Sequence, residues 1–154
     1  MERIVKRLIE LNKTISTMES CTGGALANEI TNIPDASKVI KFSAITYSNE
    51  YKIKMGVDSG LIDKYSVYSI EVARDMAKKI SVFTGSNYGV GITGKLKKID
   101  ENNLFGEHDE VFLSIYDSDI NKYYDLKIKL NFDTRSDNKN QIIREFIDKF
   151  LEII

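Results

Sequence analysis

A three-layer α/β/α domain with a mixed sheet is the fold class this sequence predicts. Three observations predict it: helix and strand patterns alternate through the first half, a hairpin with one wet face closes the second, and amphipathic helices flank both. The 154 residues form one domain, 1–154, with 42% hydrophobic and 29% charged residues and a single proline. That length buries a core without staples, and that composition is globular rather than disordered. No internal repeat, low-complexity tract or linker divides the chain.

Ile4, Val5, Leu8 and Ile9 keep helical spacing, so the chain opens on a helix that Asn12 interrupts before the β-leaning run 14–18. Leu26, Ile30 and Ile33 continue one face of a second helix, which Pro34 stops. A strand follows over 39–47, with Ile40, Phe42, Ala44 and Thr46 on one face at period two. Asn49 stands where an N-cap belongs, ahead of a short helix over 50–55 that ends at Gly56. The clearest helix starts at Ser69 as N-cap and buries Val72, Ala73, Met76, Ala77, Ile80 and Phe83 before Gly85.

Residues 88–93 read as a glycine-containing strand ending in Thr93-Gly94. Residues 95–110 have no period and read as a long exposed loop. Strands at 111–116 and 124–132 form an antiparallel hairpin, since Tyr124, Leu126, Ile128, Leu130 and Phe132 alternate with Asp125, Lys127, Lys129 and Asn131. A final helix carries Ile143, Phe146, Ile147, Phe150, Leu151 and Ile154, a face that serves a homodimer as readily as the monomer core.

Twenty-two basic residues balance 23 acidic ones, for a net charge of -1, so no field gathers nucleic acid or an anionic membrane. Among the possible soft metal ligands there is one cysteine and one histidine, which excludes an internal disulfide and a Cys/His metal site. With a charged N-terminus and no membrane-spanning run, the expected setting is the cytoplasm.

The stretch MESCTGGAL, residues 18–26, sets Ser20, Cys21, Thr22, Gly23 and Gly24 between a strand and a helix. A helix starting at Thr22 or Gly23 would aim unpaired N–H groups at the loop, where a phosphate, a carboxylate or a developing oxyanion could sit. The second stretch, ITYSNEYK, carries Tyr47 and Lys52. In the first turn of a helix the dipole disfavours a protonated lysine, and burial does so further. A neutral Lys52 could then deprotonate Ser20, with no histidine required. His108 lies in the polar loop, which does not suit a Ser-His-Asp arrangement. Cys21 reads as a small buried residue rather than a nucleophile, because nothing in the sequence activates it.

TISTMESCTGGALANEIT (14–31), FSAITYSNEYKIKMGV (42–57), YSVYSIEVARDMAKK (65–79) and YGVGITG (88–94) resemble, in order and spacing, the C-terminal domain of the competence-damage-inducible protein CinA. The resemblance implies nicotinamide mononucleotide deamidase activity, a small-molecule nucleotide as partner, no cofactor and no metal, in a stand-alone form of the domain. It implies Ser20 as nucleophile and Lys52 as general base with Tyr47 beside them, and backbone N–H groups of Cys21 to Gly24 as oxyanion donors. Thr22, Gly23, Thr93 and Gly94 fall where the family's nucleotide pocket is lined, and Arg135, in DTRSDNK, matches a family arginine suited to a phosphate.

One stretch departs from the family. Relatives continue from T-G into A-G-P-bearing loops and a K-P-V-G-T strand start; here Thr93-Gly94 runs into Lys95-Leu96-Lys97-Lys98, and EHDEVFLSIY follows. Two readings therefore stand: an active amidohydrolase, or a degenerate member that binds a nucleotide or a protein partner without chemistry.

Overall fold

The sheet has five strands: β1 (Ile15–Glu19), β2 (Ile40–Ile45), β3 (Tyr88–Gly94), β4 (Glu110–Asp117) and β5 (Lys122–Lys129), in the order β2-β1-β3-β4-β5. β1 runs parallel to both β2 and β3, whereas β3 with β4 and β4 with β5 pair antiparallel. Among the described residues there are six α-helices, α1 (Glu2–Glu10), α2 (Ala25–Thr31), α3 (Asn49–Lys54), α4 (Ser59–Tyr65), α5 (Ile70–Thr84) and α6 (Arg135–Leu151), and a short 3-10 helix at Ala36–Lys38. The computed structural model describes residues 1–97 and 107–154. No helix among them is long and apolar enough to cross a membrane.

Period-two alternation divides the strands between two apolar layers. Ile15, Tyr88, Val90, Ile92, Leu113 and Ile115 face one side, where Ile4 and Leu8 of α1, Leu26 and Ile30 of α2, and Phe146 and Phe150 of α6 cover them. Met18 faces the other side, against Val72, Met76 and Ile80 of α5. The predicted three-layer α/β/α architecture with a mixed sheet is therefore the one observed. The apolar face of α6 lies largely within the protein's own core.

The side of β3 turned to α5 carries glycine because the helix lies on the strand backbone. A Cβ at Gly91 would stand 2.1 Å from the Ala73 carbonyl oxygen, and one at Gly89 would stand 2.0 Å from that of Ala77. Neither neighbour is a flexible side-chain end, so the helix itself must shift. Gly91→Ala is expected to destabilise the protein by about 3 kcal/mol or more, read as a lowered urea midpoint.

Several boundaries differ from the sequence expectation. Ser48, not Asn49, caps α3, with its Oγ accepting from the Tyr51 amide at 3.3 Å. Ser69 and Gly85 bound α5 as expected, the glycine in the left-handed conformation, but Phe83 is exposed rather than buried, because its turn of α5 lies beyond the Met18 layer that covers Val72, Met76 and Ile80. The sequence carries no signal for α4, because it buries no residue completely and turns only Leu61 and Ile62 toward the Met18 layer. In β2, the pairing steps from Ile15↔Ile40 to Thr17↔Ser43, so a bulge inserts one residue and breaks the expected face. Phe42 consequently turns outward and packs on Phe83 at 5.3 Å between ring centroids.

β5 stops at Lys129, short of the expected 132, and Phe132 is exposed. The expected exposed loop 95–110 is corrected at its start: Lys95 and Leu96 are buried, with the Lys95 ammonium 5.0 Å from the Tyr68 ring centroid and its amide donating to the Glu110 carbonyl. Most of the remaining expected loop, 98–106, lies outside the described residues.

Candidate active site

The carboxyl ends of β1, β2 and β3 meet at one edge of the sheet, and the chain leaves β1 over one face through α2 but reaches β3 over the other through α5. Departing loops diverge at such a point and open a crevice, the usual location for a ligand in an open α/β sheet. Ser20 is the first residue beyond β1, and its amide donates to the Ile92 carbonyl of β3 at 3.0 Å. Its position is therefore set by the sheet rather than by the turn that follows.

Lys52 reaches the same place from α3. Its Nζ lies 3.0 Å from Ser20 Oγ and donates to the Thr46 carbonyl at 2.8 Å. The side chain is only 2% exposed and, among the described residues, has no carboxylate partner. An ammonium there has lost water and gained no counter-charge, so burial lowers the Lys52 pKa to about 8, opposed slightly by Cys21. The cause differs from the one the sequence suggested. Lys52 sits in the last turn of α3, not the first, and the negative end of that short dipole favours the charged form. Desolvation alone carries the shift.

The turn after Ser20 also differs from expectation. α2 begins at Ala25, with Gly24 as its left-handed N-cap, and its forward amides are already occupied. Leu26 N and Ala27 N donate to the two carboxylate oxygens of Glu19 at 3.1 and 2.9 Å. In the turn ahead of the helix, the amides of Thr22 and Gly24 meet no acceptor among the described residues, and that of Cys21 meets only its own thiol, whereas Gly23 N donates to the Ser20 carbonyl at 3.0 Å. Thr22 is fully buried, and its Oγ1 has no partner among the described residues. Burial pushes the Cys21 thiol up to about 12, against the pull of the Lys52 and Arg135 charges, so it stays protonated at neutral pH.

Tyr47 and Arg135 pair with each other rather than with the Ser20–Lys52 contact. Tyr47 is 64% exposed, and Arg135 Nη2 donates to its hydroxyl at 3.1 Å. Arg135 is the first residue of α6, not a loop residue before it. One turn further on stands Lys139, whose Nζ would lie 3.5 Å from a Cβ built on Gly23. Neither cation has a carboxylate within ion-pair distance among the described residues. Thr93 and Gly94 are held for structural reasons: Thr93 Oγ1 donates to the Val67 carbonyl at 2.9 Å, and a Cβ at Gly94 would lie 2.7 Å from the Glu110 carbonyl oxygen.

Three contributors were not visible as site residues in the sequence. Glu19 stands at a strand end where a side chain gives no site signal, Thr46 acts through its carbonyl, and Lys139 resembles any helical lysine in the sequence. For Lys139 the i,i+4 spacing from Arg135 was the available clue. Among the described residues no three His, Cys, Asp or Glu side chains come together as metal ligands.

Comparison with known proteins matches the CinA C-terminal domain over residues 1–98. A competence-damage inducible protein of Clostridium botulinum strain Langeland is 46% identical over 94 residues, 60% of this chain and 23% of that protein. One from Caldanaerobacter subterraneus is 44% identical over 96 residues, 61% and 23% respectively. The chain thus spans 23% of the length of these relatives. Among solved structures, a CinA superfamily protein from Escherichia coli superposes with a TM-score of 0.91 at 22% identity, covering 99% of this chain and 87% of that one. The CihA protein of Agrobacterium tumefaciens gives 0.85 at 23% identity, covering 98% and 93%. At these identities the likeness is one of fold, and it extends through the hairpin and α6 beyond the matched sequence. The chain belongs to the CinA C-terminal domain family.

Proposed function

We propose that the protein is an amidohydrolase acting on the carboxamide of nicotinamide mononucleotide, yielding nicotinate mononucleotide and ammonia. The observation that carries this reading is the 3.0 Å contact between Ser20 Oγ and a buried Lys52 amine with a lowered pKa. A neutral amine in hydrogen-bond contact with a hydroxyl is an activated serine.

In this reaction Ser20 Oγ attacks the carboxamide carbon and its proton passes to Lys52 Nζ. The tetrahedral oxyanion is received by amides of the turn that no other residue's acceptor holds, those of Cys21, Thr22 and Gly24. The intermediate collapses as Lys52 returns the proton to the leaving nitrogen, and ammonia departs. Water then attacks the acyl carbon, giving a proton to Lys52, which passes it back to Ser20 Oγ as nicotinate mononucleotide leaves. The Thr46 carbonyl holds Nζ in place through the cycle.

Arg135 and Lys139 supply the positive charge that a substrate phosphate requires, and Tyr47 keeps the guanidinium turned toward the crevice. Arg135→Ala and Lys139→Ala are each expected to raise KM for the nucleotide roughly tenfold or more while leaving kcat within a fewfold. Steady-state ammonia release checks this, with the dephosphorylated nucleoside as control: its kcat/KM should not respond to either substitution.

The test of the main reading is ammonia release from nicotinamide mononucleotide by purified protein. A folded protein that the nucleotide stabilises thermally without any turnover is instead a binding protein, and the catalytic reading then fails.

A further inference from the structure

We propose that Glu19 is a positioning residue for the nucleophile, binding the start of α2 so that the turn amides of Cys21, Thr22 and Gly24 and the Lys52 amine keep their places around Ser20. This rests on the reading of Ser20 and Lys52 as nucleophile and base.

Glu19 is fully buried, immediately precedes Ser20, and forms no ion pair among the described residues. Its side chain accepts three hydrogen bonds: from Leu26 N, from Ala27 N, and from Thr17 Oγ1 at 3.1 Å. Its backbone carbonyl accepts from Thr46 N at 2.8 Å, and the Thr46 carbonyl in turn holds Lys52 Nζ. One residue thus ties together the strand end that bears the nucleophile, the helix that ends the turn, and the segment that carries the acceptor for the base.

An anion buried at a helix start is stabilised by the amides there, and those amides are then closed to any other anion. With Leu26 N and Ala27 N taken, the amides left open are those of the turn, beside Ser20. Glu19 therefore decides where an oxyanion is received, not merely that α2 forms. A glutamine at this position cannot repeat the pattern. Its amide nitrogen would point a donor at a backbone donor, so one of the two helix bonds breaks and the turn relaxes. Displacement of a reacting group by about 1 Å can cost on the order of 10²-fold.

The test compares Glu19→Gln with Thr17→Val, which removes a hydroxyl donor to the same carboxylate but leaves both helix amides bonded. Two rates are read on each protein: ammonia release from nicotinamide mononucleotide, and labelling of Ser20 by a fluorophosphonate. In the labelling step Ser20 Oγ bonds to phosphorus, fluoride leaves, and the hydroxyl proton passes to Lys52.

Glu19→Gln is expected to lower kcat and the labelling rate 10- to 100-fold with KM within threefold, whereas Thr17→Val, although it also lowers Tm, keeps both rates within threefold. Glu19→Asp, which retains the charge, should fall between; if Glu19→Gln does not fold, Glu19→Asp against Thr17→Val makes the same comparison. If Glu19→Gln loses only Tm and keeps both rates, the positioning role is overturned while the deamidase reading survives. If wild type labels at Ser20 without releasing ammonia, the substrate assignment fails but the labelling rates still decide the role of Glu19. A wild type that does neither overturns both.

Discussion

Ser20→Ala is expected to lower ammonia release from nicotinamide mononucleotide by roughly 10⁴-fold or more, because the proposed covalent step has no other nucleophile to use. Cys21, the neighbour with the more reactive chemistry in water, cannot substitute: its thiol is buried and held protonated well above neutral pH. The loss falls on kcat. Arg135 and Lys139 are untouched, so the nucleotide should still raise the Tm of Ser20→Ala by about as much as that of wild type. Removing one Oγ from a position set by the Ile92 carbonyl leaves the turn in place, so circular dichroism and Tm without ligand should match. A variant that retains activity within tenfold of wild type would sink the mechanism.

Lys52→Met combines a loss of activity with a gain of stability. Without the base, kcat should fall about 10³-fold, within the usual range for a general acid–base group. In wild type, kcat/KM should rise with pH and level off above a midpoint of about 8, as the amine loses its proton. This rise should be absent from whatever rate Lys52→Met retains.

The stability effect has the opposite sense. The folded pKa of about 8 lies below the ordinary value of 10.5, so between those values the unfolded chain holds the extra proton. Wild-type stability should therefore rise relative to Lys52→Met by roughly 3 kcal/mol as pH climbs through that window. Below pH 8 both states are protonated, and the folded one carries a desolvated ammonium. Urea midpoints at pH 7 and pH 10 measure this: the variant is the more stable at pH 7, and its advantage shrinks by pH 10. A variant less stable than wild type at pH 7 would mean that the amine is compensated in the fold.

Local chemistry made much of this molecule legible. The apolar spacing of α5 from Val72 to Ile80, its Ser69 cap and its Gly85 stop are written in 17 consecutive residues, and the structure places them as read, although Phe83, which continues the spacing, lies exposed. The same holds for the wet alternation of β5 and the apolar face of α6, because periods of 2.0 and 3.6 appear in the chain wherever one side is buried. The motif serine and lysine were also legible as residue types. Less so were α4, which buries no residue fully, and the bulge in β2, which depends on pairing with β1.

From residue order alone come the α/β/α class, most of its elements, and the candidates Ser20 and Lys52, while Arg135 entered through the family resemblance. Folding in three dimensions decided what those candidates do. Lys52 stands at the end of α3 opposite the one its place in the sequence suggests, and the first amides of α2 are held by Glu19 rather than offered to an anion. The reason is physical: a pKa answers to the water removed from a group, and a free amide is defined by the acceptors that failed to reach it. Both are properties of surroundings assembled from Ser20, Thr46, Lys52 and Ile92, residues distant in the chain and adjacent at one sheet edge.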